Sequence, residues 1–188
     1  MSLPTHAVRV FCLVLLPFIF AGSAVRAEEF EQHAAHEHGK VTLNVAVDAG
    51  LLVFELDSPA VNVVGFEHTP ATDSERNAVR AASDLFKDGR KLFGLPAEAA
   101  CAFEQADVKA PQWEQAARKR GEHESHEEHA DYEARFTYRC ATPAALGWFE
   151  PWVLDQLRNV LEARVNIVTA TGQLSVVVKS GHTRVSFR

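Results

Sequence analysis

The stretch KVTLNVAVDAGLLVFELDSP, residues 40–59, decides the fold class. Val41, Leu43, Val45 and Val47 alternate with other residues, and Leu52, Phe54 and Leu56 resume the alternation after a short break. A period of two places every second side chain on one face of a strand. Asp48, Ala49 and Gly50 read as a three-residue turn in which the glycine takes the positive φ. Residues 40–57 are therefore expected to form a β-hairpin with one buried face, stopped by Ser58-Pro59.

Further along the chain, residues 60–70 (AVNVVGFEHTP) read as an irregular, apolar connection. Thr72 and Glu75 then have capping-box spacing. Val79, Ala82, Phe86 and Phe93 recur on one helical face, so a helix is expected over 73–92, with a fraying point at Asp88-Gly89 and an end at Gly94 and Pro96. Residues 101–108 read as a short strand. Tyr132, Ala134, Phe136, Tyr138 and Cys140 alternate and predict another. After a turn-rich stretch at 142–151, the spacing of Val153, Leu157, Val160 and Leu161 predicts a second helix over 152–162. Strands are expected at 165–169, 173–179 and 182–187. The sum is an α+β domain, an antiparallel sheet of hairpins with two helices packed on one face.

Composition sets the outer bounds. The chain has 188 residues, 47% hydrophobic and 23% charged, with a net charge of −6. That fits a single globular domain and excludes a disordered or collagenous chain. The acidic balance also argues against a nucleic-acid partner. Residues 10–22 are almost wholly apolar, follow Arg9, and precede SAVRA, with Val25 and Ala27 placed for cleavage. Residues 1–27 thus read as a secretory signal peptide cut after about Ala27, leaving one domain over 28–188. An apolar run of about 13 residues falls short of the ~20 a spanning helix needs, so the mature chain has no membrane span. It retains two cysteines, Cys101 and Cys140. In an oxidising compartment the pair reads as one disulfide; two buried free thiols are the other reading. Such a bridge would tether the intervening segment at its base and contribute about 3–4 kcal/mol by loop closure.

That segment, about residues 109–131, carries the chemistry. EHESHEEHADYE, residues 122–133, places His123, His126 and His129 three residues apart among acids and without a cation. Divalent ions of borderline softness take neutral imidazole, with carboxylates as further ligands. The alternative is a solvated polar loop. A second cluster, His33, His36 and His38, includes an H-x-H pair whose rings share one side of an extended chain. His68, beside Glu67, reads either as a ligand or as a hydrogen-bonded structural residue. His182 reads as structural. H-E-x-x-H, G-x-S-x-G, C-x-x-C and glycine-rich phosphate loops are all missing from the sequence, so a non-enzyme is expected.

Several motifs then fall into one pattern: HEHG (36–39), SPAVNVVGFEHTP (58–70), KLFGLP (91–96), YRCATPAAL (138–146) and TATGQ (169–173). Together they resemble the ZrgA family of periplasmic zinc uptake proteins over essentially the whole mature chain. The resemblance implies a periplasmic protein that binds Zn²⁺ and serves a zinc import system in the inner or outer membrane. It implies that His123, His126 and His129 belong to a histidine-rich zinc loop, and it matches His36, His38 and His68 to motif histidines. A competing expectation is a structural or protein-interaction module of the periplasm that takes up Cu, Ni or Zn opportunistically.

Overall fold

The computed structural model describes residues 37–111, 113, 130–179 and 181–187. The opening stretch forms the expected hairpin: β1 (Lys40–Asp48) pairs antiparallel with β2 (Leu51–Pro59), Val45 opposite Phe54. The turn is tighter than the sequence suggests. Only Ala49 and Gly50 lie outside the strands, and both take positive φ, 44° and 88°. Two left-handed residues match the twist of the flanking strands, which a looser turn would splay. A side chain at Gly50 would also meet the Cys140 carbonyl oxygen at 2.9 Å.

Next come α1 (Ala60–Val63), α2 (Asp73–Lys87), β3 (Cys101–Lys109) and β4 (Asp131–Cys140). They are followed by β5 (Trp148–Phe149), β6 (Glu162–Thr169), β7 (Gly172–Val178) and β8 (Val185–Ser186). Six strands form one sheet in the order β3-β4-β2-β1-β6-β7, while β5 and β8 pair separately. The sheet is mixed, because β6 runs parallel to β1 with Leu43 opposite Val165. All other pairings in it are antiparallel.

One face of this sheet makes the core. Leu43, Val45, Leu52, Phe54, Leu56, Tyr132, Phe136, Val165 and Ile167 point into it and are almost fully buried. Ala82 and Phe86 of α2 cover them, joined by Leu92, Phe93 and Val153 from the connections and by Phe149 of β5. Phe93 stacks on Phe54 at 3.8 Å between ring centres, and Phe86 lies 6.2 Å from Phe136. The opposite face is polar, with Glu55, Arg135, Asn44, Asn166 and Ser175 aligned across successive strands. Alternation along each strand thus separates core from solvent, as the sequence pattern requires.

The α+β arrangement is present, a sheet with two helices, but the helices differ from expectation. α2 has the full capping box at Thr72 and Glu75 and ends at Lys87. A single 3₁₀ turn, Gly89–Lys91, replaces its last turn. A Cβ at Gly89 would lie 2.5 Å from the Phe103 ring, so the chain leaves the helix to press its backbone onto that ring. The helix expected over 152–162 is only a 3₁₀ turn, Trp152–Gln156. Its hydrogen bonds go elsewhere: Val153 N–H donates to the Leu92 carbonyl, and Arg158 and Asn159 N–H donate to the Asn62 carbonyl. Tertiary acceptors have displaced the i−4 ladder. The second helix is instead α1, one turn inside the stretch read as irregular. The strand expected at 182–187 is reduced to the two residues of β8.

Candidate functional site

The sheet has two ends with different contents. At one lie the Ala49–Gly50 turn and the Cys101–Cys140 disulfide, which links directly opposite residues of β3 and β4. At the other lie the start of β1, the end of β2, the exit of β3 at Lys109 and the entry of β4 at Asp131. The disulfide therefore closes the β3–β4 hairpin at the end away from the 109–131 segment, not at that segment's base. The eight steps between the nine residues of β3, at about 3.4 Å each, put roughly 27 Å between the two.

Asn62 organises the loop end. It is fully buried, a polar side chain in an apolar helix turn, and it is satisfied on both sides. Its Oδ1 accepts from Gly39 N–H at 2.8 Å and its Nδ2 donates to the Lys40 carbonyl at 2.8 Å. The Asn62 carbonyl takes Arg158 N–H at 2.8 Å. This one residue fixes the entry to β1, and so the turn that carries His38.

Two histidine–carboxylate pairs follow. His38 Nε2 donates to Glu67 Oε2 at 3.2 Å. His68 Nδ1 donates to the Thr69 carbonyl at 3.1 Å, and its Nε2 faces Glu75 Oε1 at 3.7 Å. A carbonyl can only accept, so Nδ1 carries a proton, and Nε2 is the ring nitrogen turned toward the carboxylate. Metal-ligating imidazoles are oriented in the same way. Glu75 is held in place by the capping box, its Oε2 accepting from Thr72 N–H at 2.9 Å and Ala71 N–H at 2.8 Å. The Thr72 and Ala71 backbone N–H groups hold its carboxyl below the usual range, with His68 adding a little. Both imidazoles are more than half exposed, 68% and 60%.

A row of rings leads from His68 to the 109–131 segment. Phe66 stacks on His68 at 5.0 Å, Trp113 lies 6.0 Å beyond Phe66, and Tyr132 meets Trp113 edge-on at 6.5 Å. Thr69 Oγ1 donates to the Trp113 carbonyl at 3.4 Å, and Ala60 N–H donates to the Ala130 carbonyl at 2.7 Å. Both ends of the segment are thereby tied to the Ala60–Thr69 stretch. Beneath them the Trp113 Nε1 and Tyr132 Oη are buried without a hydrogen-bond partner among the described residues. Burial pushes the Tyr132 phenol up to about 12.

Of the sequence-predicted ligands, His38 and His68 both lie at this end. His36, His123, His126 and His129 lie outside the described residues, as does His33. His182 sits 3.4 Å from Asp155. Among the described residues no group of three or more His, Cys, Asp or Glu is placed to hold a metal ion. Each pair offers one imidazole and one carboxylate, fewer than the three or four protein ligands zinc usually takes. Asn62 and Trp113 escape the sequence reading as parts of the site. Asn62 leaves one signal, an amide inside an otherwise apolar run. Among the described residues no helix is long and apolar enough to cross a membrane.

A family model described as ZrgA family zinc uptake protein matches residues 35–187. No curated protein matches the chain.

Proposed function

This chain belongs to the ZrgA family of zinc uptake proteins, and on that premise we propose that it captures Zn²⁺ in the periplasm through its His/acid-rich segment and supports delivery to a zinc import system. It acts as a binding protein and not as an enzyme. His123, His126 and His129 supply the capturing imidazoles, with His36, His38 and His68 as further ligands. The observation that supports this most is where the segment starts and ends. Trp113 and Ala130 are tied to the Ala60–Thr69 stretch, beside two exposed His–Glu pairs whose carboxylates would draw in a cation. The signal peptide at 1–27 carries the chain to that compartment, where the Cys101–Cys140 disulfide persists.

Titration calorimetry with Zn²⁺ on tag-free protein tests the reading. Saturable binding is expected at pH 7 and largely lost in the His123→Ala/His126→Ala/His129→Ala variant, with a smaller loss in His38→Ala/His68→Ala. Imidazole binds metal only when neutral, so affinity should fall below about pH 6, given a reference pKa of ~6.5. Unchanged binding in the triple variant would remove the segment from the mechanism. Normal growth of a deletion strain under zinc limitation would remove the import role.

A further inference from the structure

We propose that the edge of β7, unpaired among the described residues, is a docking site for an extended, acidic segment of a partner protein, added as a seventh strand. The sheet has two edges and treats them differently. The β3 edge is guarded: it carries a register shift between Phe103 and Gln105, charges at Glu104, Asp107 and Lys109, and the 3₁₀ turn at Gly89 pressed on Phe103. Such bulges and charges are how proteins keep an edge from pairing. The β7 edge has none of them. GQLSVVV, residues 172–178, holds no charge, no proline and no register shift against β6, and most of it is exposed.

The turn Ala170–Thr171 is closed by the Thr169–Gly172 pair, which sets the direction of the backbone groups. Gly172, Leu174, Val176 and Val178 hydrogen-bond toward β6, while Gln173, Ser175 and Val177 turn N–H and C=O outward. Among the described residues, no backbone hydrogen bond outside the sheet ladders reaches these three. Leu174 and Val177 are 41% and 52% exposed, one on each face of the strand, ready to flank an incoming chain.

Charge selects the occupant. Residues 163–187 contain no Asp or Glu, in a chain whose net charge is −6. Arg164, opposite Val177, and Lys179, just past the strand, join no ion pair among the described residues. A second copy of β7 would bring the same cations to the same edge. An acidic strand meets them favourably, while main-chain bonds supply the affinity and sequence-independent pairing.

The test uses protein expressed from the full sequence and purified from the periplasm, with two dye-labelled nonapeptides of alternating valine and glutamate or valine and lysine. Fluorescence anisotropy should show saturable binding of the glutamate peptide and at least tenfold weaker binding of the lysine one. Val177→Pro removes an outward N–H without cutting the β6 ladder and should abolish binding while far-ultraviolet circular dichroism is unchanged. Arg164→Glu/Lys179→Glu should reverse the peptide preference. Equal binding of the two peptides, no binding, or full binding by the proline variant overturns the proposal. So does a dimer in sedimentation that Val177→Pro dissolves, which would make the occupant a second copy. Zinc affinity should be the same in every variant, so failure here and failure of the metal reading are separable.

Discussion

Replacing Asn62 by alanine tests whether one buried amide holds the loop end together. The substitution leaves the Gly39 N–H, buried and bonded at 2.8 Å, without an acceptor, and strips the Lys40 carbonyl of a donor at 2.8 Å. A buried polar group left unsatisfied costs about 1–3 kcal/mol. The Gly39 site is fully buried and the Lys40 site partly so, which gives roughly 3 kcal/mol together. With a urea slope of about 2 kcal/mol/M the midpoint should fall by roughly 1.5 M, and Tm by roughly 6–12 °C. Asn62→Asp sharpens the argument, because it keeps the acceptor for Gly39 and loses the donor to Lys40. Burial disfavours its charged form, so the folded pKa lies above the unfolded one. That variant should lose stability as pH rises above the unfolded value and regain it below, where the protonated acid can donate. Equilibrium urea unfolding across pH measures both variants. A loss under about 1 kcal/mol for Asn62→Ala, or a pH-independent loss for Asn62→Asp, would refute the reasoning.

Three further predictions concern other parts of the fold. Both tyrosines of the chain are buried, Tyr132 raised to about 12 and Tyr138 also raised, by desolvation and then by the charge of Asp88. An unfolded phenol ionises near ~10, so stability is complete below that pH and lost above it. The tyrosinate ultraviolet band should therefore emerge only with loss of near-ultraviolet circular dichroism; a step near pH ~10 with tertiary signal intact would contradict it. Glu75 has a lowered folded pKa, so its contribution is present above the unfolded carboxyl value and lost as pH falls through the folded one. The gap in urea midpoint between the native chain and Glu75→Ala should be visible at neutral pH and close as pH falls below the ordinary carboxyl range. Finally, Cys101→Ala/Cys140→Ala should cost about 3–4 kcal/mol in thermal or urea unfolding yet leave zinc affinity unchanged, because the disulfide sits at the other end of the hairpin.

The hairpin, the capped helix and the alternating strand into Cys140 were legible because each is written locally, as a period or a spacing. Residues 152–162 misled because Val153, Leu157 and Val160 have helical spacing, while their backbone donors find Leu92 and Asn62, distant partners that no local pattern reveals. The parallel pairing of β1 with β6 was hidden for the same reason, since register across a long separation leaves no mark in either strand. At the site, His38 and His68 could be named from the sequence but their carboxylates could not be assigned. Glu75 announces itself as a helix cap, and only the folded chain shows that its second oxygen faces an imidazole.

The separation of the disulfide from the 109–131 segment makes that segment an insertion point. The ladder runs from Cys101–Cys140 to Lys109–Glu133, with one register shift between Phe103 and Gln105, before the chain departs, and Trp113 and Ala130 are tied down on either side. Doubling the length of a flexible loop adds in general only about 0.6 kcal/mol of closure entropy. The bonds that close the hairpin lie outside the histidine-bearing stretch, so that ion-carrying capacity and thermal robustness can evolve along separate axes.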